Sequence, residues 1–370
     1  MYLMLTLALL GADTSREIDI GQDRIIENGA VTGEAREALV SALGSVANVT
    51  TATVIVCIGD PPLATAKRGA AAAEALSKMV GEILPKIVRS AVARAIPKEQ
   101  CPTGARLAVA SIDLYGMVKE ARVLAITGEV SVRTRDGRDT PLYKGSIVPE
   151  KGELVAKEGA RATILLPDGT RLVVRESSRV ALSSLQSAEG KGVSKIKLVV
   201  GTFWSRFSKL VGGNDLEVET PNAIAGVRGT DFQVDAVEKT GSLAVFHGTV
   251  GVTGGGGKKV DVPEGFAVIT AKQMSDPRPL PPAPENLLPR YIKVKGGETR
   301  VRWDRVDKAV KYHFELARDI QFIDVLEQVD AIGTLLKVKA APGKYFWRVM
   351  SKDSDGVESK PSKIYAIDFE

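Results

Sequence analysis

The residue types that most often carry chemistry are scarce in this chain of 370 residues. There are two histidines, His247 and His313, and two cysteines, Cys57 and Cys101. Neither histidine stands at the spacing from a cysteine, a glutamate or a second histidine that a zinc site requires. No Gly-x-Ser-x-Gly motif is present, and no pair of carboxylates is set apart by its spacing. We therefore expect a protein without enzyme activity, cofactor or metal.

One glycine-rich tract, residues 254–259, has the composition of a phosphate-binding loop. Its spacing is wrong for that role. Val252 stands where such a loop has its first glycine, and Lys259 replaces the hydroxyl residue that would contact magnesium. The tract is instead typical of the tip of a β-hairpin.

The charge balance excludes another class of protein. The chain has 50 Lys and Arg against 45 Asp and Glu, a formal charge of +5, with 44% hydrophobic and 26% charged residues. This composition is that of a folded globular protein. A nucleic-acid-binding protein would gather its basic residues on one element, and no such cluster or aromatic–basic module occurs. We expect no nucleic-acid partner.

The first residues have two interpretations. About ten apolar residues from Met1 are followed by the small residues Gly11 and Ala12, as in the core and cleavage region of an export signal, so residues 1–15 are a candidate signal segment. The basic residues that normally precede such a core are missing, and the same run would also suit a first buried strand. No apolar run reaches the roughly 20 residues that span a bilayer, so we expect no transmembrane segment.

Residues 18–118 show the patterns of an α+β domain. Helical spacing begins after Thr32, a β-branched strand covers residues 51–58, helical spacing returns from about Leu63 to Ile96 with Pro85 as a kink, and a strand follows at 106–112. In an exported protein Cys57 and Cys101 could form a disulfide. Cys57 also suits a buried position within its apolar strand.

This domain resembles the OmpA-like peptidoglycan-associated family where Gly59-Asp60 follows a strand and Lys67-Arg68 opens the next helix. The resemblance implies that Asp60 and Arg68 bind the diaminopimelate group of peptidoglycan. The family's Thr before the Asp is absent here, and Gly69 follows Arg68. The alternative is a small packing domain whose surface carries these two charges.

Residues 120–275 change to a period of two. Apolar residues alternate with polar ones in many short runs, and turns such as Asp136-Gly137 and Pro167-Asp168-Gly169 separate them. Short alternating runs between turn residues predict an all-β domain.

Five segments of this region resemble the FecR domain: 128–133, 159–172, 198–203, 219–234 and 245–252. The resemblance implies a stacked, solenoid-like all-β domain located outside the cytoplasm. Its most specific motif contains Thr220, Pro221, Val227, Arg228, Gly229, Thr230 and Phe232.

The residue types of this motif indicate turns and core. We expect positive φ at Gly229 and Gly248, and inward-facing side chains at Phe232 and Val234. Arg228 has two interpretations: its guanidinium donates to turn carbonyls within the fold, or it contacts a partner.

A stiff segment and a third domain complete the chain. Residues 276–289 contain six prolines in fourteen residues and predict an extended linker. Residues 290–370 resemble a fibronectin type III sandwich, with Trp303 and Tyr312 as core anchors and with Tyr345 and Trp347 on a late strand. We interpret the charged residues between the apolar ones as solvated strand faces.

The overall expectation is a multidomain, mainly β protein with an N-terminal α+β domain, a central solenoid-like FecR domain and a C-terminal β-sandwich. We expect a non-enzymatic binding or scaffold protein of the periplasm or cell envelope, whose partner is an envelope protein or peptidoglycan and whose edge strands contact that partner. The alternative is an accessory component of a FecR-type signalling system that regulates a sigma factor. Known members join a sigma-factor-binding helix bundle and one membrane span to the FecR domain, and neither pattern occurs here.

Overall fold

The computed structural model describes residues 2–9, 12–19, 26–27, 30–43, 49–58, 75–76, 78–83, 90–97, 109–116, 120–167, 170–185, 193–206, 215–227, 229–237, 239–319 and 322–370. The described residues are mainly β, as predicted. The chain divides into two compact units. The first unit contains residues 1–117, 289–293 and 364–368, and the second contains residues 118–288, 294–363 and 369–370.

The first unit contains a mixed five-stranded sheet of order β2-β1-β7-β5-β6. Helix α1 (Gly33–Leu43) begins after Thr32, as the helical spacing predicts, and Thr32 caps it because its Oγ1 accepts a hydrogen bond from Ala35 N at 3.3 Å. The strands of this unit are β1 (Tyr2–Leu9), β2 (Ala12–Asp19), β3 (Ile26–Glu27), β4 (Ala30–Val31), β5 (Val49–Ile58), β6 (Ser90–Pro97) and β7 (Val109–Gly116). Two later strands fall mostly in this unit, β25 (Tyr291–Val294) and β31 (Tyr365–Phe369).

The structure corrects one prediction in this unit. Residues 75–76 and 78–83 are helical, but Ser90–Pro97 is a strand that pairs in parallel with β5 rather than the end of a long helix. Proline is a residue type that interrupts helices, and Pro85 follows these helical residues in the sequence. The alternation in Ser90-Ala-Val-Ala-Arg-Ala-Ile96 also suits a strand. Residues Tyr2–Leu9 also form a strand, paired with β2 and β7, which is the second interpretation of the N-terminal run. The export signal stays a prediction.

The central module of the second unit, β8–β24, consists of short strands. They are β8 (Ala121–Thr127), β9 (Val130–Arg133), β10 (Asp139–Pro141), β11 (Ile147–Val148), β12 (Glu153–Ala156), β13 (Arg161–Leu165), β14 (Arg171–Val174), β15 (Ser178–Ser184), β16 (Val193–Arg206), β17 (Asp215–Glu219), β18 (Ala223–Val227), β19 (Asp231–Val237), β20 (Thr240–His247), β21 (Thr249–Gly254), β22 (Lys259–Pro263), β23 (Phe266–Thr270) and β24 (Arg278–Pro279).

These strands form two curled sheets that share one strand. Sheet 1 has the order β11-β8-β13-β14-β16-β19-β20-β23-β24. Sheet 2 has the order β10-β9-β12-β15-β16-β17-β18-β21-β22. The first part of β16 pairs in sheet 2 and the last part, Gly201–Arg206, pairs in sheet 1. The two sheets therefore close on each other through β16.

The core of the module lies between the two sheets. From β17 onward the chain places two strands in sheet 2 and the next two in sheet 1, so each pair adds to both layers. The inward side chains form one buried cluster that includes Leu154, Ile164, Leu198, Phe203 and Phe232. Burial of this continuous apolar surface is the main stabilising contribution to the module. The stacked, solenoid-like arrangement stays a prediction.

The predicted hairpin tip is confirmed. Gly254 N donates to Lys258 O at 2.9 Å between β21 and β22, and Gly257 has a φ of 80°. Among the described residues, no helix has the length and apolar character needed to cross a bilayer.

The C-terminal module of the second unit packs around aromatic side chains. Its strands are β26 (Glu298–Arg302), β27 (Lys311–Ala317), β28 (Val325–Ala331), β29 (Leu335–Lys339) and β30 (Gly343–Lys352). Strand β27 pairs with β28 and β30, and β26 pairs with β29. Trp303 and Tyr312 are both buried with ring centroids 5.6 Å apart, which confirms them as core anchors. Trp347 is fully buried and contacts Phe314.

The proline-rich segment is held along its length. Leu280 N donates to Gly265 O at 2.8 Å, and Pro282 O accepts from Ser351 Oγ at 2.6 Å. Leu287 is buried. The segment thus follows the surface of the second unit instead of crossing open solvent.

Candidate functional site

The FecR-like motif builds turns and a strand crossing. Thr220 Oγ1 accepts hydrogen bonds from Asn222 N at 3.3 Å and Ala223 N at 3.0 Å, which closes the turn between β17 and β18. Val227 ends β18 in sheet 2, and Phe232 begins the buried part of β19 in sheet 1. The motif therefore carries the chain from one sheet to the other.

The crossing is tight at its glycines. Gly229 has a φ of 58° and Gly248 a φ of 88°, as predicted. A Cβ on Gly248 would lie 2.4 Å from Thr230 Cγ2, and Thr230 is buried, so the two neighbouring turns pack against each other. Phe232 and Val234 are also buried, as their alternation predicts. This part of the motif has a structural role.

The outer face of sheet 1 is covered by the C-terminal module. Successive residues of β16 point to opposite faces, so Phe203 enters the inner core while Trp204 lies on the outer face. Trp204 packs there in a cluster with Phe246 and with Val357 of the C-terminal module. We call this contact region the intermodule interface. Its charged residues are Arg161, Arg175, Asp235, His313, Glu315, Asp330, Arg348, Lys352 and Glu358.

Glu315 is the centre of the first charge cluster. It is fully buried on β27, and its two carboxylate oxygens accept from different guanidinium groups: Oε1 from Arg161 Nη1 at 2.5 Å and Oε2 from Arg348 Nε at 2.6 Å. Burial by itself would raise the pKa of Glu315, but attraction by Arg161 and Arg348 outweighs burial and lowers that pKa well below its usual range. A buried carboxylate thus joins β13 of the central module to the C-terminal module.

Arg348 is also held by aromatic rings from both modules. Its guanidinium carbon lies 4.0 Å from the ring centroid of Phe322 and 4.7 Å from that of Trp204. A guanidinium over aromatic faces is attracted by the electron-rich rings. Arg348 therefore connects Glu315 and Phe322 of the C-terminal module to Trp204 on β16 of the central module.

Glu358 is the centre of a second cluster. Its Oε1 lies 2.6 Å from Arg175 Nη1 and 3.6 Å from Lys352 Nζ. Burial would raise the pKa of Glu358, yet attraction by Arg175, His313 and Lys352 lowers it to about 2. Burial also opposes the charged form of Arg175, but Glu358 and Glu315 raise the pKa of that guanidinium. The ion pair is therefore retained in the folded protein at neutral pH.

His313 connects the clusters to the edge of the module. Its Nδ1 is 2.7 Å from Asp330 Oδ1 and its Nε2 is 3.6 Å from Glu315 Oε1. Burial and the nearby Arg175 disfavour the protonated ring. The hydrogen bond to Asp330 and the nearby carboxylate of Glu315 outweigh them and raise the pKa of His313 above its usual value.

Asp235 behaves differently from the other buried acids. It accepts hydrogen bonds from Thr202 Oγ1 and from Gln233 Nε2, the latter at 3.0 Å. Burial, together with repulsion by Glu358, raises the pKa of Asp235 despite attraction by Lys352. Its carboxyl group therefore binds a proton more readily than an exposed aspartate does.

The rim of the interface carries ion pairs that are exposed or partly buried. Arg278 lies 2.8 Å from an oxygen of Asp353 and 2.9 Å from one of Asp355, and Lys360 Nζ lies 2.5 Å from Glu264 Oε1. Pairs of this kind stabilise little, so losing one of them should cost much less than losing one partner of a buried pair.

The buried ion pairs are suited to holding the central and C-terminal modules in one fixed arrangement. Each buried acid has a cationic or hydrogen-bonding partner, and breaking one partner of a buried pair leaves an uncompensated charge. Within the part of the chain that the structure describes, no group of three His, Cys, Asp or Glu side chains is placed to hold a metal ion.

Several predicted site residues lie outside the described residues: Asp60, Arg68, Cys101 and Arg228. Cys57 belongs to β5. Peptidoglycan binding, the disulfide and the two interpretations of Arg228 stay predictions.

The structure corrects the interpretation of the charged residues in the C-terminal module as solvated strand faces. Glu315 and Arg348 are buried, and so is Glu358. Alternation does place Glu315 and Arg348 on the face opposite Phe314, and they are directly opposed across β27 and β30. The sequence could not show that the central module covers this second face. The one feature of the sequence that indicates this burial is that Glu315 and Arg348, which have opposite charges, each stand between apolar residues.

Part of the central module is similar in sequence to a known protein family. Residues 152–251 match the family model described as FecR protein. This match confirms the resemblance predicted from the motif. The matched region contains Arg161 and Arg175 of the intermodule interface.

Solved structures of low identity resemble parts of the chain. A candidate anti-sigma factor from Parabacteroides distasonis ATCC 8503 is 17% identical, with a TM-score of 0.30, over 34% of this chain and 59% of that chain. A Fn3-like protein from Clostridium thermocellum is 17% identical, with a TM-score of 0.21, over 25% of this chain and 95% of that one. A segment of two fibronectin type III domains from chicken tenascin is 18% identical, with a TM-score of 0.20, over 40% and 99%. The chain thus spans 59% of the length of the anti-sigma factor structure. No curated protein matches the sequence. The similarity that the sequence comparison supports is to the FecR family, over residues 152–251 of this chain.

Proposed function

We propose that this protein is a non-enzymatic binding component of a FecR-type signalling system in the cell envelope, where it contributes to the regulation of a sigma factor. The observation that carries the proposal is the FecR match over residues 152–251. The partner is an envelope protein, which the central module and the C-terminal module bind as one body.

The intermodule interface supports the use of both modules together. Buried pairs of Glu315 with Arg161 and of Glu358 with Arg175 require the two modules to stay in one arrangement, because separation would expose the pairs and the apolar cluster around Trp204. A partner bound on the C-terminal module therefore changes the energy of the FecR domain directly.

The test is a transcription measurement in the native cells. Deletion of the gene should change the transcripts of one sigma-factor-dependent set of genes, and the intact chain should restore them. A chain with Glu315→Gln should restore them poorly because the two modules are no longer held together. A chain with Glu298→Gln, at an exposed carboxylate that contacts Lys337 and Lys339, is the matched control and should restore them fully.

Two results would contradict the proposal. Unchanged transcription after deletion would exclude a signalling role. If the intact chain then co-sedimented with peptidoglycan, the result would favour a wall-associated scaffold. Recovery of the chain in the cytoplasmic fraction would contradict both the signalling role and the scaffold role.

A further inference from the structure

A small cavity lies within the intermodule interface. Its volume is about 20 Å³, and its lining includes Arg161, Thr163, Arg171, Trp204, Phe322 and Arg348. A cavity needs roughly 10–15 Å³ to hold one water molecule, so this cavity accepts one occupant of about that size. Three of these six side chains are guanidinium groups.

Arg161 has donors that no acceptor among the described residues satisfies. Its side chain is 3% exposed. Nη1 donates to Glu315 Oε1 at 2.5 Å and lies 3.4 Å from Gln328 Oε1, whereas Nε and Nη2 are buried without a hydrogen-bond acceptor among the described residues. Buried donors in proteins are almost always paired with protein atoms or with a bound molecule. The unsatisfied donors belong to a residue that lines the cavity.

The charge of Arg161 is also incompletely balanced. Glu315 is shared with Arg348, so its carboxylate serves two guanidinium groups, and Asp319 adds only a weaker attraction to Arg161. Burial and repulsion by Arg175 lower the pKa of Arg161 in spite of Glu315, while the pKa of Arg175 beside Glu358 is raised. A negatively charged occupant of the cavity would balance the remaining positive charge of Arg161.

We propose that this cavity is a binding site for one small monovalent anion of the size of chloride, held by Arg161 between the central and C-terminal modules. A neutral water molecule could accept hydrogen bonds from Arg161 but would leave its charge unbalanced. A tetrahedral oxyanion such as sulfate would have to extend beyond a volume that admits about one water molecule. The bound anion stabilises the joined modules, and the inference does not depend on the signalling role.

The first experiment measures thermal unfolding of the full chain in sodium chloride and in sodium gluconate at equal ionic strength. A ligand that binds the folded state alone stabilises that state by RT ln(1 + [L]/Kd), so the melting temperature rises with the logarithm of the ligand concentration once that concentration exceeds Kd. We expect chloride and bromide to raise the melting temperature logarithmically from millimolar concentrations upward, and gluconate at equal ionic strength to have no such effect. Arg161→Lys keeps a cation beside Glu315 but lacks the guanidinium fork, and it should lose the chloride dependence. Arg133→Lys, at an exposed arginine paired with Asp139, is the matched control and should keep it.

The second experiment does not depend on any variant. Crystals of the intact chain grown in bromide should show an anomalous peak in the cavity beside Arg161. A water molecule at that position in both chloride and bromide would overturn the proposal. A bromide peak without chloride-specific stabilisation in solution would mean binding at crystal concentration only, and would overturn it as well.

Discussion

At the scale of single residues, the least expected feature is the number of charges removed from water at the intermodule interface. Glu315, Glu358, Arg161 and Arg348 are each at most 5% exposed. Burying a charge is costly unless it is paired, and each of these groups has an oppositely charged partner within 2.6 Å. The pairs therefore specify which surfaces join, because any other arrangement leaves charges unpaired.

Removing one of these charges should destabilise the protein strongly. Glu315→Gln leaves Arg161 and Arg348 with a neutral partner, and loss of one member of a buried ion pair typically costs about 3–5 kcal/mol. Urea unfolding followed by circular dichroism measures the loss. Glu298→Gln should leave the unfolding midpoint nearly unchanged, since Glu298 pairs with lysines at the surface. Equal midpoints for the two variants would contradict the structural role of Glu315.

Stability should depend on pH through Glu358 and His313. The pKa of Glu358 falls from 4.5 to about 2 on folding, so its contribution is complete above pH 4.5 and is lost as the pH falls through 2. The pKa of His313 is raised above 6.5, so its contribution is complete below pH 6.5 and is lost as the pH rises through the higher folded-state value. The contributions of Glu358 and His313 to the free energy of unfolding are therefore both complete between pH 4.5 and 6.5, and their sum should be greatest there.

Urea titrations across this pH range test the prediction. His313→Gln should flatten the alkaline side of the profile, and Glu358→Gln should flatten the acid side. His247→Gln is the control because the His247 side chain is 74% exposed at the surface, beside Glu264. A profile for His313→Gln that parallels the intact chain would show that His313 does not contribute.

At the scale of elements, the long strand β16 determines how the central module closes. Its first part pairs with β15 and β17 and its last part with β14 and β19. Gly201 stands where the pairing changes from one sheet to the other, with a φ of 97°. A strand can change sheets there because glycine adopts this conformation without strain and leaves room for Ser178.

A side chain at this point should disrupt the joint between the sheets. In Gly201→Ala the new Cβ would lie 2.5 Å from Ser178 Cα, and its φ is unfavourable for alanine, which together should cost at least about 1–3 kcal/mol. Gly257→Ala is the matched control: its φ is 80°, but no atom lies within 4 Å of the added Cβ. Thermal unfolding should show a clearly larger loss for Gly201→Ala. Equal losses would mean that the close contact with Ser178 has no effect.

At the scale of the whole molecule, the central and C-terminal modules belong to one compact unit. The proline-rich segment, which would act as a stiff spacer in isolation, is hydrogen-bonded on this unit through Leu280 and Pro282. A ligand or a mutation in either module should therefore influence the other.

The two modules should unfold in a single transition. The chain has three tryptophans, Trp204 in the central module and Trp303 and Trp347 in the C-terminal module. Trp204→Phe reports on the C-terminal module, and the double variant Trp303→Phe/Trp347→Phe reports on the central module. In each variant, urea unfolding followed by the fluorescence of the remaining tryptophan should have the same midpoint as urea unfolding followed by circular dichroism. The circular dichroism curve gives the stability of that variant. Well-separated midpoints within one variant would contradict the coupling.

The sequence by itself determined the features that depend on local residue patterns. Alternation and turn residues predicted a mainly β chain, the inward positions of Phe232 and Val234, the positive φ at Gly229 and Gly248, and the anchors Trp303 and Tyr312. The motif around Thr220 predicted the FecR domain that the family match confirms. These features are local because side-chain periodicity and backbone freedom are properties of neighbouring residues.

Only the tertiary structure decided the features that depend on residues far apart in sequence. Ser90–Pro97 forms a strand because it pairs in parallel with β5, although its apolar spacing also suits a helix. Glu315 pairs with Arg161 across 154 residues, and Glu358 with Arg175 across 183. A charged residue opposite a core position has the same local pattern whether water or another module covers it. Its burial is fixed only when the two modules meet, because electrostatic pairing then replaces hydration.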